Sequence, residues 1–101
     1  MQFEYIIVGS GLTGAVIART LCDVGKSVLV IDRRPHLAGN IHDYVHPSGI
    51  PIHSYGPHYF RTNSDELWAF VSRFTAFHRY EPRLKSLVDG EFENWPVAGD
   101  Y

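Results

Sequence analysis

Near the start of the chain, Gly9-Ser10-Gly11-Leu12-Thr13-Gly14 has the spacing G-x-G-x-x-G, and Asp32 stands eighteen positions after the last glycine. These residue types suit the holding of a dinucleotide. Gly9 permits a tight turn, Gly11 lets a pyrophosphate approach the backbone, and Gly14 allows a helix to pack closely on a strand. A helix that starts here, at Leu12 and Thr13, offers free N–H groups and a partial positive charge to phosphates. Asp32 can accept a hydrogen bond from a ribose 2′-OH. A carboxylate there suits the adenosine ribose of FAD or NAD and repels the 2′-phosphate of NADP. Arg33 and Arg34 follow it, and arginines near that position can hold such a phosphate. The pattern can also be a bare glycine turn that binds nothing.

A second stretch, "HSYGPHYFRT" from His53 to Thr62, crowds two histidines, two tyrosines and a phenylalanine around Gly56-Pro57. Gly56-Pro57 lets backbone approach a flat ring, and His58 can hydrogen-bond to a ring nitrogen and tune its electron density. The competing reading makes His58 a structural histidine, and Tyr55, Tyr59 and Phe60 core aromatics beside a helix.

The elements that position these residues follow from the hydrophobic pattern. "FEYIIVGSG" is a continuous apolar run ending in glycines, which predicts a parallel strand buried on both faces. From Leu12 to about Val24 the pattern turns helical, with Ala15, Ala18 and Cys22 on one face and Gly25 as the stop. "KSVLVID" is a second strand closing at Asp32, so residues 1–34 form a βαβ unit with a right-handed crossover. Residues 35–62 are polar and rich in proline and glycine, and predict loops with a short extended piece and a short strand at "IPIHSY". A helix is expected over 63–78: Asn63 caps it, Glu66 completes a capping box, and Leu67, Phe70, Val71 and Phe74 make its apolar stripe. Over 83–96, Asp89-Gly90 lies between two strand-like runs and predicts a hairpin.

With 101 residues there is room for one small domain. A net charge of −2 leaves no electrostatic footprint for nucleic acid or an anionic membrane. No apolar run reaches the roughly 18 residues of a membrane span. The single Cys22 cannot form an internal disulfide, which predicts a reducing, cytoplasmic compartment with Cys22 as a small core residue. His42 and His46 are four apart, but Pro47, Gly49 and Pro51 oppose a helix there, so no metal site is expected. There is no G-x-S-x-G nucleophile elbow. Asp65 and Glu66 are expected as the acidic first turn of a helix rather than paired catalytic carboxylates.

Taken together, "VIDRRPHLAGNI" and "HSYGPHYFRT" closely resemble the N-terminal part of the UDP-galactopyranose mutases. That family carries an Asp-x-Arg-x-His-x-Gly-Gly-Asn stretch, then His-x-Tyr-Gly-x-His-x-Phe-His-Thr. "RLKSLVDGEFENWPV" resembles its later strand, turn and Asn-x-Pro segment, so the similarity runs from Tyr5 to about Val97. The resemblance implies an α/β, Rossmann-like FAD-binding unit of the glutathione-reductase-like type, with an incomplete sheet followed by a helix and a hairpin. It implies an FAD-dependent isomerase that interconverts UDP-galactopyranose and UDP-galactofuranose through a reduced-flavin N5–sugar adduct, without net redox change. The implied cofactor-binding residues are Gly9, Gly11, Leu12, Thr13, Gly14, Asp32, Arg33, Arg34, Gly39, Asn40, Ile41, Tyr55, Gly56 and His58, with His58 also the catalytic residue. Three positions depart from the pattern. Ala38 replaces the first glycine of the family's pair, Arg61 its second histidine, and Pro82 a residue that is often polar.

Family members are several times longer. The expectation is therefore an N-terminal fragment without a substrate lobe, inactive by itself, whose UDP-galactose substrate belongs to the complete enzyme. The strand at Tyr5–Val8 would present an open edge and a route to self-association. The alternatives are a fragment of an amine oxidase or desaturase type of flavoenzyme, or a non-catalytic nucleotide-binding module.

Overall fold

The computed structural model describes residues 1–95. The chain divides into two units, Met1–Arg61 and a second that begins at Thr62.

The first unit opens with β1 (Tyr5–Val8), α1 (Leu12–Asp23) and β2 (Val28–Ile31). β1 and β2 pair in parallel, Tyr5 opposite Val28 through Val8 opposite Ile31, and form a two-stranded sheet. Continuing this register sets Gly9 and Ser10 beside Asp32. The Gly9 N–H donates to the Ile31 carbonyl at 2.7 Å, carrying the pairing one step past the strands.

α1 ends as Gly25 predicts. Gly25 has φ +79°, its N–H donates to the Cys22 carbonyl, and the Lys26 N–H reaches back to Leu21. This is the Schellman arrangement, which needs a left-handed residue just past the helix. The inner stripe of α1 is Gly14, Ala18 and Leu21, the half-buried residues of the helix. Cys22 is exposed, which corrects its assignment to the core. The physical reason is that Gly14 must face β1, and this turns the helix so that Leu21, not Cys22, points inward.

The strands are not buried on both faces either. Only Ile7 in β1 and Val28 and Leu29 in β2 are half-buried, and the other strand residues are exposed. Burial on both faces needs a cover on each, and α1 packs on one. Among the described residues no hydrophobic side chain is fully buried.

A 3₁₀ turn at Gly39–Ile41 leads to β3 (Asp43–Val45) and β4 (Pro51–His53), antiparallel with Asp43 opposite His53 and Val45 opposite Pro51. The loop between them closes with the Gly49 N–H on the His46 carbonyl at 2.7 Å and Gly49 at φ +87°.

The second unit holds α2 (Asp65–Ser72), β5 (Leu84–Val88) and β6 (Glu91–Trp95). Ser64, not Asn63, caps α2: its backbone is extended and its Oγ accepts from the Leu67 N–H at 3.2 Å. That places Leu67 at the third helical position, so Glu66 cannot complete a capping box. Asp65 and Glu66 do form the acidic first turn. The helix is shorter than the expected 63–78. The N–H groups of Arg73 and Phe74 turn to the carbonyls of Phe70 and Val71, a tightening that ends the helix before Phe74 and the β-branched Thr75. β5 and β6 pair as a hairpin around Asp89 (φ +51°) and Gly90 (φ +87°), the two positive angles that a type I′ turn requires. Pro96 and Val97 lie outside the described residues.

Candidate nucleotide-binding site

The glycine loop bridges β1 and α1. A β-carbon on Gly14 would run into the Gly9 carbonyl and come within 3.3 Å of the Ile7 side chain, so this position packs helix on strand. Gly9 takes φ +104° with open space at its α-carbon. Gly11 is the N-cap of α1 and offers no side-chain cap, and the first turn of the helix holds no acidic residue. The leading N–H groups of α1 therefore have no side chain assigned to them, the arrangement that receives an anion.

Gly11 has a second role, absent from the motif. A β-carbon on Gly39 would lie 2.9 Å from the Gly11 α-carbon, so the two backbones approach face to face. The Ala38 N–H donates to the Ser10 carbonyl at 3.0 Å, which fastens the 3₁₀ turn to the glycine loop. Ala38 reaches this position in the left-handed region, at φ +73°. Between them opens an apolar cleft of about 350 Å³, lined by Ser10, Gly11, Leu12, Ala15, Val30, Leu37, Ala38 and Ile41.

Asp32 stands at the rim. Its Oδ2 accepts from both the hydroxyl and the backbone N–H of Ser10, each at 2.6 Å, and its Oδ1 accepts from the Arg34 N–H at 2.8 Å. The Ser10 hydroxyl, the Ser10 N–H and the Arg34 N–H hold the carboxyl well below the usual carboxylate range. It is an anion at neutral pH. Ser10 is itself 6% exposed.

The positive charge of Arg34 also lowers that carboxyl, while its side chain makes its own contacts. Its Nη1 donates to Asn40 Oδ1 at 2.8 Å, and its guanidinium lies 4.3 Å from the centre of the Tyr55 ring. The Tyr55 hydroxyl pairs with His36 Nε2 at 2.7 Å, and the His36 ring stacks on that of His42 with centroids 4.0 Å apart. His42 Nδ1 pairs with Ser54 Oγ at 2.7 Å, next to the β3–β4 pairing. The hairpin thus delivers Tyr55 to the loop that follows β2.

Of the residues expected from sequence, Gly9, Gly11, Gly14 and Asp32 gather with Gly39 at one end of the β1–β2 sheet. Arg34, Asn40 and Tyr55 form a second, adjoining group. Tyr55, Tyr59 and Phe60 are all exposed rather than core. His58 is exposed and lies in neither group of contacts. Ser10, His36 and Ala38 take part without being among the expected cofactor residues: Ser10 fills a variable position of the glycine motif, and His36 and Ala38 fall at the histidine and first-glycine positions of the stretch that follows Asp32. Ser10 carries a signal in retrospect, a short hydroxyl side chain next to the residue that registers with Asp32. The His36–Tyr55 pair carries none, because its members stand nineteen positions apart with a hairpin between them.

A parallel strand–helix–strand with a glycine cradle, an uncapped helix start and an anionic carboxylate just past the second strand defines a dinucleotide-binding unit. The chain belongs to the NAD(P)-binding Rossmann-like domain family, whose profile matches residues 7–74. It is also similar to curated sugar mutases over about nine-tenths of its length, in keeping with the resemblance carried by its motifs. It is 41% identical to the dTDP-fucopyranose mutase of Escherichia coli over 93% of this chain and 25% of that protein. It is 39% identical to a probable UDP-galactopyranose mutase of Klebsiella pneumoniae over 91% of this chain and 24% of that protein. The corresponding figures for the UDP-galactopyranose mutase of Mycoplasma pneumoniae are 32%, 91% and 23%. The chain therefore spans about a quarter of the length of these relatives. Among the described residues no helix is long and apolar enough to cross a membrane.

Proposed function

We propose that this chain supplies the FAD-binding part of a flavin-dependent isomerase of the UDP-galactopyranose mutase kind, with a glutathione-reductase-like cofactor fold, acting in the cytoplasm. The observation that carries the reading is the backbone cradle. Gly11 caps α1 without a side chain and no acidic residue stands in the first turn, so the start of the helix is open to a pyrophosphate, beside a carboxylate held ionised by Ser10. The residues present fit the ADP half of the cofactor: the N–H groups of Leu12, Thr13 and Gly14 at the start of α1 would hold the phosphates, and Asp32 would accept a ribose hydroxyl.

When bound, a reduced flavin supplies the electron-rich nucleophile for interconverting pyranose and furanose forms. This chain's own part is to hold and orient. Arg34, Gly39, Asn40 and Ile41 would line the approach to the ring system, and Tyr55, Gly56 and His58 would hold the ring itself, with His58 as its hydrogen-bonding partner. The substrate is a nucleoside-diphosphate sugar, UDP-galactose in this reading. The relatives' names differ in base and sugar, dTDP-fucopyranose against UDP-galactopyranose.

A nicotinamide dinucleotide is the second reading, favoured by the family's description. Titration of the purified chain with FAD, ADP and NADH separates the two, followed by flavin fluorescence and calorimetry. Saturable FAD binding that exceeds ADP binding and is weakened by Asp32→Ala and Gly11→Val supports the flavin reading. Preference for NADH replaces it with the second, and no binding by any of the three overturns both.

A further inference from the structure

Ser10 occupies a variable position of the glycine motif, yet it has the most connected surroundings of the site. Its N–H and hydroxyl both donate to Asp32 Oδ2, and its carbonyl accepts from Ala38. It is the one buried residue among those described. A carboxylate oxygen takes about two donors, so Oδ2 is filled by Ser10 alone. Oδ1 holds a single donor, the Arg34 N–H, and keeps one acceptor position. Three bonds from two segments thus fix the plane of the carboxylate.

We propose that Ser10 is a positioning residue for the adenosine ribose: by occupying one oxygen of Asp32 it aims the remaining acceptor of the other at the 2′-hydroxyl, and so sets the site's preference for a ribonucleotide. This rests on the nucleotide-binding reading above. Ser10 also ties the phosphate loop to the turn at Gly39–Ile41, so that ribose and pyrophosphate contacts share one anchor.

The test is calorimetric titration of the full chain with ADP and with 2′-deoxy-ADP. The parent chain prefers ADP by about ten-fold, the worth of one hydrogen bond to a charged group. Ser10→Ala keeps the backbone bond and lowers the preference to about three-fold or less, weakening ADP while leaving 2′-deoxy-ADP within about two-fold. Ser10→Thr, which retains a hydroxyl, restores the preference. In an Asp32→Asn background, Ser10→Ala has no further effect on the ratio, because the two residues act as one unit. Equal weakening of both nucleotides makes Ser10 merely structural and overturns the proposal, as does an undiminished preference in Ser10→Ala. Failure of the parent chain to bind ADP overturns the nucleotide site itself, and the proposal with it.

Discussion

Gly14 lies against the carbonyl of Gly9 so closely that any β-carbon at position 14 would overlap that oxygen. This contact sets the distance of α1 from β1 and the rotation of the helix about its axis. The obstacle is backbone, which no change of rotamer relieves. Gly14→Ala is expected to destabilise the first unit by about 2 kcal/mol, the usual scale of overpacking. Gly9→Ala meets open space and suffers only from its positive φ, at about 1 kcal/mol. Urea unfolding followed by circular dichroism ranks the two variants, and equal stability of Gly14→Ala and the parent chain would refute the packing role.

Asp32 has an acid-side signature. Its carboxyl is lowered in the fold by the Ser10 hydroxyl first, then by the N–H groups of Ser10 and Arg34. A group lowered in this way contributes stability that is fully present above its unfolded value and fades as pH falls toward the folded one. The difference in thermal midpoint between the parent chain and Asp32→Asn should be constant above about pH 5 and shrink below about pH 4. A carboxyl-carbon NMR titration provides the direct check: Asp32 protonates at lower pH in the parent chain than in Ser10→Ala.

Ala38 carries strain that a glycine would not. A residue with a β-carbon pays about 1–2 kcal/mol for the left-handed region, and Ala38 stands there at φ +73°. Glycine loses more chain entropy on folding, which offsets part of the gain. Ala38→Gly should therefore stabilise the chain by about 0.5–1 kcal/mol, read as a rise in urea midpoint at unchanged slope.

Tyr55 makes two separable contacts, its hydroxyl with His36 and its ring with Arg34. Tyr55→Phe removes the first and keeps the second, at about 0.5 kcal/mol for a half-exposed hydrogen bond. Tyr55→Leu removes both, at about 1 kcal/mol or more. If the phenylalanine and leucine variants unfold alike, the stacking of Arg34 contributes nothing.

The start of α2 distinguishes two neighbouring polar residues. Ser64→Ala removes the hydroxyl that accepts the Leu67 N–H and should cost about 1 kcal/mol of helix stability. Asn63→Ala should stay within about 0.5 kcal/mol of the parent chain. Amide exchange at Leu67 and Trp68 reports this directly, with faster exchange in Ser64→Ala alone.

Local chemistry determined much of this molecule. The run "YIIV" and the glycines after it are enough to place β1 and its turn, since apolar β-formers and positive-φ residues act within a few positions of themselves. Gly25 as a helix stop and Asp89-Gly90 as a hairpin turn are legible for the same reason, as is Asp32 at the end of β2. The family resemblance of the two long motifs is likewise a property of the residues in order.

Tertiary structure decided what depends on rotation and on partners distant in sequence. Periodicity alone places Cys22 on the helix face of Ala15 and Ala18; contact of Gly14 with Gly9 keeps Ala18 inward but turns Ala15 and Cys22 out and brings in Leu21. Propensity permits either Asn63 or Ser64 as a cap, and the path of the chain into α2 chooses Ser64. The approach of Gly39 to Gly11, the pairing of His36 with Tyr55 and the capture of Asp32 by Ser10 link separate segments, each meeting depending on how the loops cross the end of the sheet. No pattern of spacing encodes such crossings, because loop backbones follow their contacts rather than a period.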